Sequence, residues 1–386
     1  MSPWARFDDL AEDHALTFSE PRRVLSTNQV SEVLPIIDEV QTATQDGEWA
    51  FGYVSYEAAP AFDPGLAVAT TTCEDPPLIW FGLGGAPTKD RPITAPRHGQ
   101  PAMLWRPDRT AEQHAVAVAS VRERIADGEV YQCNLTERLR TTFTDEPLDL
   151  YAGLVTAQKA GHNAYLDTGR VVVASASPEL FFEWAGGRIR TRPMKGTAAR
   201  GRDSDEDQQR ARTLWASEKE RAENVMIVDL LRNDLGKIAE INSVRVTELF
   251  AVECYPTVWQ MVSEITARTR PSCELVDIFA ALFPCGSITG APKASSMRII
   301  RELESAPRNV YCGAIGVVAP PTAAVRARFS VAIRTAVIDR ATATAVYGAG
   351  GGITWDSNAH AEWAELLSKA AILSHSKTEP VAVHAT

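Results

Sequence analysis

Apolar residues recur along the chain with a helical and a strand-like period. Apolar positions three and four residues apart predict helices at residues 30–40, 110–127, 148–159, 203–238, 272–283, 292–303 and 358–374. Short apolar runs predict strands at residues 49–56, 78–83, 130–140, 163–166, 170–176, 180–184, 188–191, 243–252, 257–266, 311–318, 329–338 and 343–347. Groups of two or three strands separate the helices. This order favours an α+β fold with mainly antiparallel sheets over the strict alternation of a doubly wound fold.

Two interruptions of this pattern suggest boundaries. The long helical region 203–238 has a predicted break near Ala216 and Ser217. Residues 84–101 are rich in proline and glycine and predict a loop, the best internal boundary of the chain. We therefore expect a β-rich part, residues 1–105, to pack on a catalytic region, residues 106–386, as one interlocked unit.

Composition narrows the possible classes of protein. The chain has 386 residues, 45% of them hydrophobic and 23% charged, as in an ordinary globular protein. Its net charge of -10 argues against nucleic acid as a partner. Residues 1–10 carry Asp8 and Asp9 and have no apolar core, so we expect no signal peptide there. No apolar run has the length of a membrane helix, so we expect no transmembrane helix. Because no Cys-x-x-Cys spacing occurs, we expect buried, reduced cysteines. A cytoplasmic enzyme without a membrane partner fits best.

Two acidic pairs are candidates for metal binding. Glu362, Glu365 and Lys369 form a stripe along the last predicted helix. Glu220 and Glu223 repeat the three-residue spacing where a solvated helix turn meets an apolar one. Carboxylates without histidine or cysteine suit a hard cation, so Mg²⁺ is favoured over zinc. The alternative for the last helix is an exposed Glu365–Lys369 ion pair.

Several basic and polar positions could hold an anion. Residues 347–353 predict a strand that ends in a glycine turn with accessible N–H groups. Arg334 lies within the predicted strand 329–335, and an arginine there usually pairs with a carboxylate. Residues 286–293 offer hydroxyls and N–H groups at the start of a predicted helix, where an anion could bind. The alternative is a simple helix-entry turn with Pro292 at the first position of the helix. Lys195 lies on a predicted connection between Pro193 and Gly196. Its two interpretations are a nucleophile and an ordinary surface lysine.

Seven motifs occur in order along residues 176–365. They read Ala176-Ser-Pro-Glu179, Pro193-Met-Lys-Gly-Thr197, Glu223-Asn-Val-Met-Ile-Val-Asp-Leu-Leu-Arg-Asn-Asp-Leu-Gly236, Gly286-Ser-Ile-Thr-Gly-Ala-Pro-Lys293, Tyr311-Cys-Gly-Ala-Ile-Gly316, Ala332-Ile-Arg-Thr335, and Gly350-Gly-Gly352 followed by Glu362 and Glu365. Together they resemble the chorismate-utilising enzymes, which include anthranilate, aminodeoxychorismate, isochorismate and salicylate synthases. The resemblance spans roughly residues 110–375.

The resemblance implies a fold and a site. The fold would be two orthogonally packed antiparallel sheets flanked by helices, with the site between them. Magnesium would be held mainly by Glu223 and Glu365, with Glu220 and Glu362 close by. The residues implied for the two carboxylates of chorismate are Tyr311, Arg334, Lys369 and the N–H groups around Gly350 and Gly352. Those implied for the ring are Thr289 and Gly290.

One stretch separates members of the family. The stretch is residues 193–197 of this chain. It is similar to a Pro-Ile-Ala-Gly-Thr sequence in anthranilate synthases and to a Pro-Ile-Lys-Gly-Thr sequence in aminodeoxychorismate synthases. The third position here is Lys195, as in the second group. The second resemblance, to component I of aminodeoxychorismate synthase, implies that the lysine attacks C2 of chorismate to form a covalent adduct. Glu179 would be the general acid, and ammonia would then displace at C4. The product would be 4-amino-4-deoxychorismate, which leads to 4-aminobenzoate and folate.

A departure and an absence bear on the alternatives. The active-site histidine of anthranilate synthases falls on Gln260, which argues against pyruvate elimination. The sequence contains no Gly-x-Cys-x-Gly elbow, so use of glutamine would require a separate glutamine amidotransferase subunit. The alternatives are the large subunit of anthranilate synthase, an isochorismate or salicylate synthase in which water replaces ammonia, and a non-catalytic subunit.

Overall fold

The structure is a computed structural model and describes residues 2–97, 103–255 and 258–374. The helices are α1 (Val30–Gln45), α2 (Ala59–Phe62), α3 (Ala111–Ala126), α4 (Pro147–Gln158), α5 (Ser204–Ala216), α6 (Glu218–Gly236), α7 (Leu275–Leu282), α8 (Lys293–Leu303) and α9 (Ala359–Ala370). The strands are β1 (Trp4–Asp9), β2 (His14–Phe18), β3 (Arg23–Thr27), β4 (Trp49–Val54), β5 (Ile79–Gly84), β6 (Thr88–Asp90), β7 (Arg106–Pro107), β8 (Gln132–Thr142), β9 (His162–Asp167), β10 (Val171–Ser177), β11 (Leu180–Ala185), β12 (Arg188–Arg192), β13 (Met194–Ala199), β14 (Arg245–Cys254), β15 (Val258–Arg268), β16 (Gly290–Ala291), β17 (Ala314–Val318), β18 (Ala327–Val331), β19 (Thr335–Asp339) and β20 (Thr344–Ile353).

The strands of the described residues form two antiparallel sheets. The first sheet has the order β16-β8-β20-β19-β10-β9-β1-β2-β6, with β7 also paired to β8. The second has the order β13-β15-β12-β11-β18-β17-β4-β5-β3, with β14 also paired to β15. The predicted α+β class with antiparallel sheets is confirmed.

The chain passes from one sheet to the other at Arg334. A single strand was expected over residues 329–338, but β18 belongs to the second sheet and β19 to the first. Arg334 has a φ of 52°, in the left-handed region that a non-glycine residue adopts only at a cost. This turn of the backbone redirects the chain, so the prediction of one continuous strand is wrong.

The first ninety residues contribute to both sheets. Strands β1, β2 and β6 join the first sheet beside β9, and β3, β4 and β5 join the second beside β17. Strands β1, β2 and β3 were not predicted, because their buried positions do not alternate regularly. The expected division at residue 105 stays a prediction.

The core has one layer between the sheets and others beneath the helices. Phe18 of the first sheet packs with Phe51 and Trp80 of the second, and Leu166 and Ile315 belong to the same cluster. Burying each large apolar side chain of this kind stabilises the fold by about 1.5–3 kcal/mol. Helices α4 and α9 cover the first sheet, and α1, α6 and α7 cover the second.

Helix ends mostly agree with the predicted boundaries. Ser217 is extended between α5 and α6, and its hydroxyl accepts from the N–H of Glu220, which confirms the predicted break. Pro292 precedes α8 as its N-cap instead of occupying its first turn, so that placement is wrong. Among the described residues, no helix is long and apolar enough to cross a membrane.

The cysteines are free, as expected, but two of the six are not buried. Cys73 and Cys254 are exposed. The other four cysteines are buried, namely Cys133, Cys273, Cys285 and Cys312. The expectation of reduced cysteines therefore agrees with the structure, and the expectation that all are buried is wrong.

Candidate active site

Lys195 lies on β13, the strand that ends the second sheet, and not on the connection that the sequence suggested. The backbone on both sides of it is anchored. The side-chain amide of Asn224 donates to the carbonyl of Lys195 at 3.4 Å, and that of Gln260 donates to the carbonyl of Gly196 at 2.7 Å. Gly196 has a φ of +98°, which glycine adopts without strain. Gln260 therefore helps to hold the strand that carries the lysine.

The Lys195 amine reaches across to the first sheet. Its Nζ lies 4.0 Å from Oε2 of Glu223, and its side chain is only 14% exposed. A Cβ atom on Gly352 would lie 2.6 Å from the same Nζ, closer than any real contact. Because Gly352 belongs to β20 of the first sheet, the amine lies where β13 of the second sheet approaches the first.

The glycines at residues 350–352 are strand residues, so the predicted glycine turn is wrong. Strand β20 continues to Ile353 and pairs with β8, with Gly350 opposite Thr136 and Gly352 opposite Asn134. Antiparallel pairing occupies part of the backbone that was expected to bind anions. The glycines keep this strand bare, so that side chains from other elements can lie against it.

Gln132 is a site residue that the sequence analysis missed. A Cβ on Gly352 would lie 2.1 Å from its Nε2. The side chain is buried, yet neither Nε2 nor Oε1 has a hydrogen-bond partner among the described residues. Buried amides are normally paired, so an unpaired one beside a lysine amine indicates a place for a polar ligand. The available signal was a glutamine in the apolar part of a predicted strand.

Glu179 is buried in the turn between β10 and β11 and is 2% exposed. Its Oε1 accepts a hydrogen bond from the Ser287 hydroxyl at 2.7 Å. Burial raises the pKa of Glu179 to about 7, against the opposing effects of the Ser287 hydrogen bond, the Lys195 charge and the Met194 N–H. A carboxyl group with this pKa can give up a proton near neutral pH.

Glu220 and Glu362 lie in the first turns of α6 and α9, and Glu223 and Glu365 lie about one turn further along the same helices. Burial raises the pKa of Glu220, and the neighbouring Glu223 carboxylate raises it further. Burial and the Glu365 carboxylate likewise raise the pKa of Glu362, against a hydrogen bond from Ser357. Charge on Glu365 also acts on Glu220, so the two pairs lie within electrostatic reach of each other.

Three lysines surround these carboxylates. Besides Lys195, Lys219 lies 3.9 Å from Oε1 of Glu223, and Lys369 lies 2.7 Å from Oε1 of Glu365. Burial opposes ionisation of Glu365, but the hydrogen bond from Lys369 and the charges of all three lysines together outweigh it and lower the pKa of that carboxyl. Lys219 was not predicted to be a site residue.

A hard cation fits the chemistry of this cluster. The described residues hold no group of three or more histidine, cysteine, aspartate or glutamate side chains spaced to bind a metal alone. Magnesium, however, is commonly held by one or two carboxylates together with water and substrate oxygens. Burial is the main cause of the raised pKa values of Glu220 and Glu362, and the neighbouring carboxylates add to it. A divalent cation would relieve the repulsion between these carboxylates.

Lys369 and Arg334 are linked at the C-terminal end of α9. The Lys369 Nζ donates to the carbonyl of Gly350 at 2.7 Å, and burial lowers the pKa of this lysine. The Arg334 guanidinium donates to the carbonyl of Lys369 at 2.6 Å, as does the Tyr347 hydroxyl at 3.2 Å. Arg334 therefore lies next to the lysine, in the break between β18 and β19.

The expected ring-lining residues pack close to the same strands. A Cβ on Gly290 would lie 2.2 Å from the Gln132 carbonyl oxygen, so this glycine lets β16 approach β8. The Thr289 hydroxyl is buried and donates to the carbonyls of Cys285 and Gly286. The Tyr311 ring lies against Gly348 and precedes β17, so it does not start that strand as predicted.

The structure thus brings most of the predicted residues into two linked groups. Lys195, Glu220 and Glu223 lie on one side, and Gly351 of β20 lies close to Glu362, Glu365 and Lys369 on the other. Comparison with protein-family models identifies residues 5–375 as a chorismate binding enzyme. The chain belongs to this family.

Members of the chorismate binding enzyme family resemble this chain over most of its length. Aminodeoxychorismate synthase component 1 of Salmonella typhimurium is 40% identical over 272 residues, which are 70% of this chain and 59% of that protein. Anthranilate synthase component 1 of Aquifex aeolicus is 38% identical over 270 residues, 70% of this chain and 53% of that protein. The aligned part is thus less than two thirds of the length of these curated relatives.

The fold agrees with a solved structure of the family. The crystal structure of anthranilate synthase component I from Streptococcus pneumoniae superimposes with a TM-score of 0.78 at 24% identity, covering 96% of this chain and 90% of that one. At this identity the likeness shows the shared fold and does not distinguish one family activity from another.

Proposed function

We propose that this chain converts chorismate and ammonia to 4-amino-4-deoxychorismate by way of a covalent adduct on Lys195. The observation that carries the proposal is the Lys195 amine, which is largely buried between Glu223 and Gly352 on an anchored strand. Its similarity to aminodeoxychorismate synthase component 1 of Salmonella typhimurium supports this activity.

In the first step, the lone pair of the Lys195 side-chain nitrogen attacks C2 of chorismate. The electrons of the ring diene shift, and the bond between C4 and its hydroxyl oxygen breaks. Hydroxide is a poor leaving group, so a proton from Glu179 converts it to water as it departs. The Glu179 pKa of about 7 supports this role, because the carboxyl is still largely protonated at slightly acidic pH.

In the second step, ammonia attacks C4, the diene shifts back, and the C2–nitrogen bond to Lys195 breaks. The amino group then stands para to the ring carboxylate, and the lysine is regenerated. Gln132 supports this step, since its unpartnered amide lies against Gly352 beside the lysine amine. Its oxygen can accept a hydrogen bond from ammonia and orient the nitrogen lone pair toward the ring.

Magnesium would be held mainly by Glu223 and Glu365, with Glu220 and Glu362 nearby. When bound, the ion supplies positive charge that draws electrons from the ring carboxylate and makes the diene more open to attack. The donor set of four carboxylates supports this assignment.

The two carboxylates of chorismate require cationic and N–H partners. We assign this binding to Lys369, Arg334 and Tyr311, with backbone around Gly350 and Gly352, and contact with the ring to Thr289 and Gly290. The placement of Lys369 and Arg334 at one end of α9 supports the assignment, because the two cations are held next to each other.

Ammonia would come from a separate glutamine amidotransferase. The phrase "component 1" in the names of the relatives supports a second component. The test is an assay with ammonium or glutamine, with and without a glutaminase subunit. Turnover from glutamine by this chain alone would contradict the need for a partner.

Anthranilate synthase is the second candidate, favoured by the 38% identity to the Aquifex aeolicus protein. An assay with chorismate, Mg²⁺ and ammonium, read by mass spectrometry, separates the possibilities. We expect 4-amino-4-deoxychorismate from the wild type and none from Lys195→Ala. Anthranilate as the product, or isochorismate or salicylate when ammonia is left out, would overturn the proposal.

A further inference from the structure

Ser287 and Glu179 form a buried pair that the sequence motifs do not connect. Ser287 lies in the short turn of residues 286–288, and its hydroxyl donates to Oε1 of Glu179 at 2.7 Å. Both side chains are almost fully buried, at 6% and 2% exposed. A short hydrogen bond shielded from water holds a carboxyl group in one orientation.

We propose that Ser287 is a positioning residue that holds Oε1 of Glu179, so that the other oxygen, Oε2, carries the proton delivered to the leaving hydroxyl of chorismate. The inference rests on the proposed function, in which Glu179 is the general acid. In the transfer, the Oε2–H bond breaks, the proton goes to the C4 oxygen, and the C4–O bond releases water.

The surroundings of Glu179 support a fixed orientation. The Ser177 hydroxyl accepts from the Glu179 N–H at 3.2 Å and donates to the Val331 carbonyl at 2.6 Å. The Val331 N–H in turn donates to the Glu179 carbonyl at 3.1 Å. The backbone of the acid is thus fastened to β18, and the Ser287 hydroxyl fastens its side chain.

The turn that carries Ser287 is itself braced. Thr289 donates to the carbonyls of Cys285 and Gly286 at 3.1 and 3.3 Å. The same short segment therefore holds Glu179 through Ser287 and reaches β8 through Gly290. Ring contact and proton delivery would be coupled through residues 287–290.

Few other groups face the carboxyl. They are the Lys195 ammonium and the Met194 N–H from β13, and the Cys285 thiol from the same turn as Ser287. The thiol lies 4.0 Å from Oε1, and burial raises its pKa to about 12, so it stays uncharged. The Ser287 hydroxyl is closer to Oε1 than the thiol is, at 2.7 Å, and its loss removes a hydrogen bond that favours ionised Glu179.

The test compares Ser287→Ala with Ser287→Thr, which keeps the hydroxyl. We expect kcat of Ser287→Ala to fall about tenfold with KM nearly unchanged. The pH at which kcat falls to half should rise by about one unit, since a donor to the charged form is lost. Ser287→Thr should keep the wild-type midpoint.

A second measurement does not depend on turnover. Infrared titration of the protonated carboxyl band, assigned by its loss in Glu179→Gln, should show the same upward shift in Ser287→Ala. An unshifted band, or a raised KM with an unchanged pH midpoint, would overturn the inference and leave Ser287 a structural or ring-binding residue. Full activity of Glu179→Gln would instead overturn the proposed role of the acid. If Ser287→Ala does not fold, Ser287→Cys replaces it as the weaker donor and must show the same direction of shift.

Discussion

Replacing Gly352 with alanine tests whether the Lys195 amine and the Gln132 amide must lie against bare backbone. The added Cβ would lie 2.6 Å from Nζ of Lys195 and 2.1 Å from Nε2 of Gln132. Because ordinary contacts begin near about 3.5 Å, the amine must withdraw by about 1 Å and the amide by more. A displacement of this size at a reacting group lowers kcat/KM by about 100-fold.

The effect of Gly352→Ala on stability should be small by comparison. Both displaced groups are the ends of flexible side chains, so we expect the free energy of unfolding to fall by about 1 kcal/mol, at the low end for overpacking. The assay is steady-state turnover with chorismate, Mg²⁺ and ammonium, together with urea unfolding. Gly84→Ala is the matched control, since this strand glycine has no atom closer than 3.7 Å to a new Cβ. Wild-type kcat/KM in Gly352→Ala would refute the reasoning.

Three further predictions follow from the charges and the unpaired amide. With Glu179 as the proposed general acid, kcat should fall as the pH rises through about 7, because the acid must be protonated, and Glu179→Gln should remove this limb of the pH profile. Gln132→Leu should lower ammonia-dependent turnover about tenfold without loss of unfolding free energy, since the amide makes no hydrogen bond within the described residues; a large loss of stability would contradict this. The double variant Glu220→Gln and Glu362→Gln should raise the melting temperature of the metal-free protein, because the structure destabilises the ionised form of both carboxyls. The same variant should weaken the stabilisation of the protein by added Mg²⁺. Unchanged melting temperatures would be evidence against the repulsion.

Local patterns were enough to predict the helices and their acidic pairs. Residues three apart lie on the same face of a helix. Once the helices were predicted from local patterns, Glu220 with Glu223 and Glu362 with Glu365 followed as pairs. The break predicted near Ala216 and Ser217 also has a local cause, because Ser217 caps the next helix.

Features that depend on contacts between distant segments were not predicted. The left-handed backbone at Arg334, which sends the chain into the other sheet, has no glycine to indicate it. The glycines at residues 350–352 were interpreted as a turn, although they serve close approach within a strand. Gln132 and Ser287 were missed as site residues because their partners are distant in the sequence. Gly352 is 220 residues from Gln132, and Glu179 is 108 residues from Ser287.

The central claim is that Lys195 forms a covalent bond to the substrate, and peptide mass spectrometry tests it most directly. The protein is mixed with chorismate and Mg²⁺ without ammonia, quenched and digested. We predict that the peptide containing Lys195 gains the mass of chorismate less one water, and that ammonium discharges the adduct. Lys219→Ala, which removes the neighbouring lysine near Glu223, should still form it. An unmodified Lys195 peptide, together with full turnover by Lys195→Ala, would contradict the account.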